Sequence, residues 1–500
     1  MNSSHLESLS NEIFEWVVSY LNLDDIRNLR LASRSTAYKG SQDTFKSFFK
    51  SKHVDLTRTD LSSFVRLTSQ NGLGCLVEDL SLVGIVYNPF ALQNLVKNGY
   101  RYATKDEIAR DRQLQGRPIP CNEAEISKAE EDLQMMTRSR KEDEELQRQA
   151  LDLALLREAF TTLAANKAHG LKRLSLQVMV YREDMTTKLP ASEVKCWKWV
   201  FETASRMFNL VVSSLHDTGL HVQAFDVFHR KPDSLACSLP REALDPFDFT
   251  TPTFGLVFSR LRSLFISLTG PIVVEDEYEA QSCGDPEQNL EFKLRGQKRD
   301  LAPLRDRIAD TTSHKSFAKM LELCRELSAL DLSGYHFPTS STELINASRT
   351  MRAQYIHYLS RMVPLPRLRR FRLAGLNFNV RELVTFLQNH GTTLREVELN
   401  NVSINQESFE PILSCLSGSQ MDLEIIRLED LWQSGELIQF GGQREQEFTK
   451  ISGDYAGRNV IRIWGEDTKK KISYYPYVGR SIGSGRVWRW NQRRRLEFGG

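Results

Sequence analysis

A six-residue pattern, L-x-x-L-x-L, constrains the fold of this chain more than any bulk property. With Ile, Val or Phe admitted at the apolar places, it occurs as LKRLSL from Leu171, LRSLFI from Leu261 and LSALDL from Leu327. It returns as LRRFRL from Leu368, LREVEL from Leu394 and LEIIRL from Leu423, with a looser copy, LVEDLSL, from Leu76. Apolar alternation at the end of each copy reads as a short strand with one buried face. Between Leu368 and Leu394 there is room for one helix, and VRELVTFLQNHG supplies it, with Leu383, Phe386 and Leu387 on one face and Gly391 as the stop.

Strand, helix and strand at this spacing are similar to the leucine-rich repeat, whose period is ~20 to 29 residues. The fold class expected is therefore α/β: a short N-terminal helical module over 1–50, an irregular leucine-rich-repeat-like solenoid over 51–440, and a β-rich cap or tail over 441–500. Helical insertions explain the irregular upstream spacing. The charged stretch 105–168 holds a capping box, Asn122 with Glu125, and a strong apolar face at Leu153, Leu156, Phe160 and Leu163. It reads as one or two helices, because the heptad needed for a coiled coil fails between Arg138 and Glu145. The segment 275–300 is charged, lacks periodicity and reads as a mobile loop.

In each copy the leucines flanking the last variable place face the core, so the residue between them stands on the other face of the sheet. That place holds Ser175, Phe265, Asp331, Arg372, Glu398 and Arg427. The last four alternate in sign and, in register, would form a cross-strand charge ladder, each pair contributing a few tenths to ~1 kcal/mol. Such a ladder either satisfies its own surface or, together with Phe265, forms part of a client-binding face.

The first fifty residues have a different texture. Ile13, Trp16, Val17, Tyr20 and Leu21 recur at helical steps, Asn22 or Asp24 can cap a second helix carrying Ile26, Leu29 and Leu31, and Ser41 can open a third with Phe45, Phe48 and Phe49. Three short helices make a core too small to stand easily alone, and no cysteine precedes Cys75 to staple it. The run LSNEI (Leu9 to Ile13), Val17, YL (Tyr20 and Leu21), LDDI (Leu23 to Ile26) and LRLASR (Leu29 to Arg34) resembles the F-box, with Ser10 where most members carry Pro. The resemblance implies a three-helix module docking in a groove of an SKP-type adaptor, and through it on a cullin. Carried over by position, the contacts are Leu9, Ile13, Val17, Leu21, Ile26, Leu29 and Leu31. It further implies the substrate-recognition subunit of an SKP-cullin-F-box ubiquitin ligase, binding an unknown protein client for ubiquitin-dependent degradation. The alternative is a non-catalytic leucine-rich-repeat scaffold with no ligase role.

Other classes find little support. Seven cysteines lie scattered without a CxxC pair, which suits a reducing compartment. A formal net charge of +2 points to neither nucleic acid nor an anionic membrane, and no apolar run reaches the length of a membrane span. A cytoplasmic or nuclear protein is expected. His216, His221, His229 and Cys237 match no zinc spacing, and neither a phosphate loop nor a nucleophile elbow occurs. No catalytic residue, metal or cofactor is expected. The tail interleaves Arg486, Trp488, Arg489, Trp490 and Arg493 to Arg495; it reads as a cap, with stacking on single-stranded nucleic acid as the second reading.

Overall fold

The computed structural model describes residues 6–69, 73–102, 107, 110–114, 117–166, 170–191, 197–229, 237–270, 306–307, 309–335, 342–405, 407–441 and 459–476. The segment 275–300 and the basic aromatic tail from Arg486 lie outside them.

Four helices, rather than three, form the N-terminal module: α1 (Asn11–Val18), α2 (Leu23–Ala32), α3 (Arg34–Lys39) and α4 (Asp43–Ser47). Ser10 caps α1 through its side chain, with φ at −65°, the value a proline ring would impose. Asn22 caps α2, its Oδ1 accepting from the Asp25 amide at 2.9 Å. The third helix starts earlier than Ser41 because Ser33 and Thr36 form a reciprocal capping box. Phe14, Val18, Ile26 and Phe45 are buried together, with Leu9, Leu21 and Leu29 packed around them, in a core separate from that of the main body.

The main body is built on one sheet. β1 (Ser51–Asp55) and β2 (Asp79–Tyr87) open it, while β3 (Tyr100–Tyr102) and β4 (Pro118–Pro120) form a small pair apart. After the helices Glu123–Arg148 and Leu151–Asn166 come β5 (Leu171–Tyr181), β6 (Leu189–Pro190), β7 (Val222–Val227), β8 (Leu239–Pro240), β9 (Ser263–Thr269), β10 (Ala329–Tyr335), β11 (Arg370–Ala374) and β12 (Glu396–Asn400). The last group is β13 (Ser403–Ile404), β14 (Ile425–Glu429), β15 (Trp432–Gln433), β16 (Glu436–Phe440), β17 (Val460–Trp464) and β18 (Tyr474–Pro476). The principal strands lie in the order β1, β2, β5, β7, β9, β10, β11, β12, β14, β17, and with β6 and β8 make a 12-stranded sheet. Neighbours along it are parallel except β17, which runs antiparallel to β14; β6 is likewise antiparallel to β5.

This arrangement overturns the expected leucine-rich-repeat-like solenoid. The chain forms an α/β body on a single large, mostly parallel sheet joined by helical crossovers of very unequal length. Some crossovers hold one helix, such as Val380–Asn389 between β11 and β12; that between β2 and β5 holds several, including the 26-residue helix Glu123–Arg148. Burial gives the physical reason. In β2 every residue from Leu80 to Val86 is buried, and in β9 every residue from Leu264 to Thr269. Both faces are therefore covered along these strands, as in α/β sheets and unlike a solenoid sheet with one open face. Toward one face, Gly84 is pressed so close to the helix Trp197–Thr218 that a Cβ there would lie 2.7 Å from Thr203 Cγ2. Toward the other, Tyr87 and Tyr181 pack against the cluster of Leu92, Ala129 and Met136, which brings the helix Glu123–Arg148 over that side. The apolar places of the six-residue pattern do fill one face: Leu174, Leu264, Leu330, Phe371, Val397 and Ile426 are buried and join the main core.

Candidate functional site

The first candidate surface is on the N-terminal module. Its sequence-predicted contacts divide between inside and outside. Ile26 is fully buried in the module's own core, and Leu9, Leu21 and Leu29 are half-buried against it, so Ile26 is corrected from a contact to a core residue. Val17 is half-buried, while Ile13 is 50 % and Leu31 84 % exposed. The exposed apolar face is instead completed by Trp16, 65 % exposed, and Tyr20, 73 % exposed, whose rings meet edge to face at 5.6 Å. Ile13, Trp16 and Tyr20 follow one another at three- and four-residue steps, so they form one stripe along α1 and the turn that follows it. Tyr38 on α3 is also exposed. Large apolar side chains concentrated outside so small a core are what a docking face requires.

The second candidate surface is the row between the core leucines. The strand registers set Phe265 opposite Asp331, Asp331 opposite Arg372, Arg372 opposite Glu398, and Glu398 opposite Arg427. The ladder is closely joined. Arg372 Nη1 lies 3.3 Å from Asp331 Oδ2, and its Nε lies 2.7 Å from Glu398 Oε1. Arg427 Nη1 is 3.2 Å from Glu396 Oε1 and 3.7 Å from Glu398 Oε2. Ser175 sits two strands away from Phe265 in the same row, with Asp226 between them.

Exposure changes along the row. Ser175, Asp226, Phe265 and Asp331 are buried; the Arg372 and Glu398 side chains are 16 % and 14 % exposed, and that of Arg427 36 %. Phe265 is thus a packing residue, corrected from the client-facing role expected of it. The open part of the row begins at Arg372.

Among the members not legible in the sequence are Asp226, His229 and Arg462, the last set opposite Arg427 by the pairing of β14 with β17. His229 lies just beyond β7, delivered by Phe228, whose φ of 58° turns the backbone sharply. Its amide donates to Asp226 Oδ1 at 3.0 Å, and its Nε2 lies 3.2 Å from Asp331 Oδ1. Burial by itself would push the Asp331 carboxyl up, but His229 and Arg372, by charge and hydrogen bond, hold it well below the usual carboxylate range. Among the described residues no cluster of His, Cys, Asp or Glu is arranged to hold a metal ion. Nor is any helix among them long and apolar enough to cross a membrane. No protein-family model matches the sequence, and no curated protein matches it.

Proposed function

We propose that the chain is a non-catalytic recognition subunit, cytoplasmic or nuclear, with two binding surfaces. The N-terminal module docks on an SKP-type adaptor of a cullin ubiquitin ligase, and the open end of the sheet row, from Arg372 to Arg427, receives a protein client. The observation that carries the reading is the stripe of Ile13, Trp16 and Tyr20, displayed outside a module core of only four fully buried apolar residues. A core of that size gains from a partner, and the stripe fits a helix-in-groove mode of recognition. The ligase would act on the client by proximity, holding its lysines near a charged conjugating enzyme.

The test is co-purification of the intact chain with an SKP-type adaptor, beside a Trp16→Ala, Leu31→Asp double variant. Both sites are exposed, so the variant is expected to fold and to lose the complex. An intact, folded parent that ignores the adaptor removes the ligase reading and leaves an interaction scaffold, a role compatible with the self-paired charge ladder.

A further inference from the structure

Away from both surfaces, a polar cluster lies inside the main body. It is assembled from the short 3-10 turn Arg241–Leu244, the helix Thr312–Glu322 and the helix Thr342–Leu359, which pack together. Arg241 is 1 % exposed, His314 1 % and Tyr355 2 %. The rings of His314 and Tyr355 lie 4.5 Å apart, and the guanidinium of Arg241 acts electrostatically on both.

The charge of Arg241 is compensated, but its hydrogen bonds are not. Glu242 Oε1 stands 3.9 Å from Arg241 Nε, beyond hydrogen-bond reach, and is shared with Arg307 Nη2 at 3.5 Å. Asp245 is turned toward the Ser313 hydroxyl, and the Asp310 carboxylate accepts from the Thr312 amide and hydroxyl. Among the described residues, Nη2 alone of the Arg241 nitrogens has a hydrogen-bond acceptor, the Arg307 carbonyl. Arg241 Nε and Nη1 and the Tyr355 hydroxyl have none among the described residues, whereas the His314 ring has the Met351 backbone as a partner. Each buried, unsatisfied polar atom costs about 1 to 3 kcal/mol, and a guanidinium cannot shed its proton to escape that cost. Burial and the Arg241 charge push His314 down to about 3, so at neutral pH it is uncharged, and its one N–H is directed to the Met351 backbone. Two guanidinium N–H groups and a phenol O–H together are a set of donors lacking acceptors.

We propose that Arg241 and Tyr355, beside the His314 ring, form an internal site for one small oxyanion, a phosphate or a carboxylate group, bound independently of the docking surfaces. The neighbouring carboxylates limit the site to a ligand of low charge, and the number of buried donors calls for acceptor oxygens rather than for apolar bulk. Bound to the folded state alone, such an anion stabilises the protein by mass action.

The experiment is a thermal-denaturation titration of the full chain with sodium phosphate and, separately, sodium acetate, each against sodium chloride at equal ionic strength. The expected result is a saturable rise in Tm with one of the two oxyanions, which also tells tetrahedral from planar preference. Tyr355→Phe should raise the half-saturating concentration about tenfold or more, the effect of one lost hydrogen bond to a charged group, and Arg241→Gln should abolish the response. If Arg241→Gln does not fold, Tyr355→Phe decides. A parent that responds to neither oxyanion beyond chloride, or a Tyr355→Phe variant that titrates like the parent, overturns the proposal.

Discussion

The N-terminal module and the sheet row solve opposite problems. In the module, Phe14, Val18, Ile26 and Phe45 make a minimal core, and comparably large side chains, Trp16, Tyr20 and Leu31, are left in solvent. In the row, charged side chains are drawn inward, and each finds a partner: Arg372 and the His229 ring at Asp331, Arg372 and Arg427 at Glu398. Unspent apolar surface can gain from a partner, whereas a charge already paired must first be released. A conspicuous pattern and an available surface are thus separate things. Substitutions in the ladder should therefore reach stability first, and substitutions on the module face should reach binding first.

The largest effect that could break this contrast is at Asp331. Asp331→Ala leaves Arg372 and His229 facing a buried gap and is expected to cost about 3 to 5 kcal/mol, read as a lower urea midpoint with adaptor binding retained in the protein that stays folded. A near-neutral result would show that the ladder is a loose surface feature. Next, Trp16→Ala should leave the urea midpoint within about 0.5 kcal/mol and weaken adaptor binding by about 2 kcal/mol, roughly thirtyfold. A variant that unfolds instead would place Trp16 in the core.

A third effect concerns pH and belongs to the body alone. His314 is held near 3 when folded, against an ordinary value near 6.5, so the unfolded chain takes up the proton first. The contribution is whole above about 6.5 and declines as pH falls toward 3, at no more than about 1.4 kcal/mol per pH unit. His314→Gln should flatten the slope of stability between pH 6 and pH 4; an unchanged slope would contradict it. The smallest effect is expected at Arg427→Ala, whose partly exposed pairs are worth under ~1 kcal/mol. There a change in client capture without a change in stability would sharpen the distinction between the buried and open ends of the row.

Much of the sheet was legible, because apolar alternation reports a face directly. The leucine places, the register from Asp331 to Arg427, the Asn122 capping box and the helix beginning at Val380 all follow from local chemistry. Two-sided burial was not legible. Ser81, Ser175 and Asp226 are polar at places that alternation assigns to an open face, and the chain covering that side near Tyr87, around Met136, is distant in sequence. His229 escaped because it stands past a strand end, turned by a left-handed Phe228 that no propensity foretells. In the module, Ile26 and Leu31 are both apolar residues of α2, yet one is buried and the other exposed. A helix wrapped in so few neighbours has more apolar positions than core to receive them, so periodicity alone does not choose the inward stripe.

Hydrogen exchange on the full chain, with and without an SKP-type adaptor, tests the central claim most directly. Adaptor binding through the module should slow exchange in peptides covering Asn11–Val18 and Leu23–Ala32, with no change in those covering Arg370–Ala374, Glu396–Asn400 and Ile425–Glu429. Protection confined to the sheet strands, or none anywhere, would contradict it.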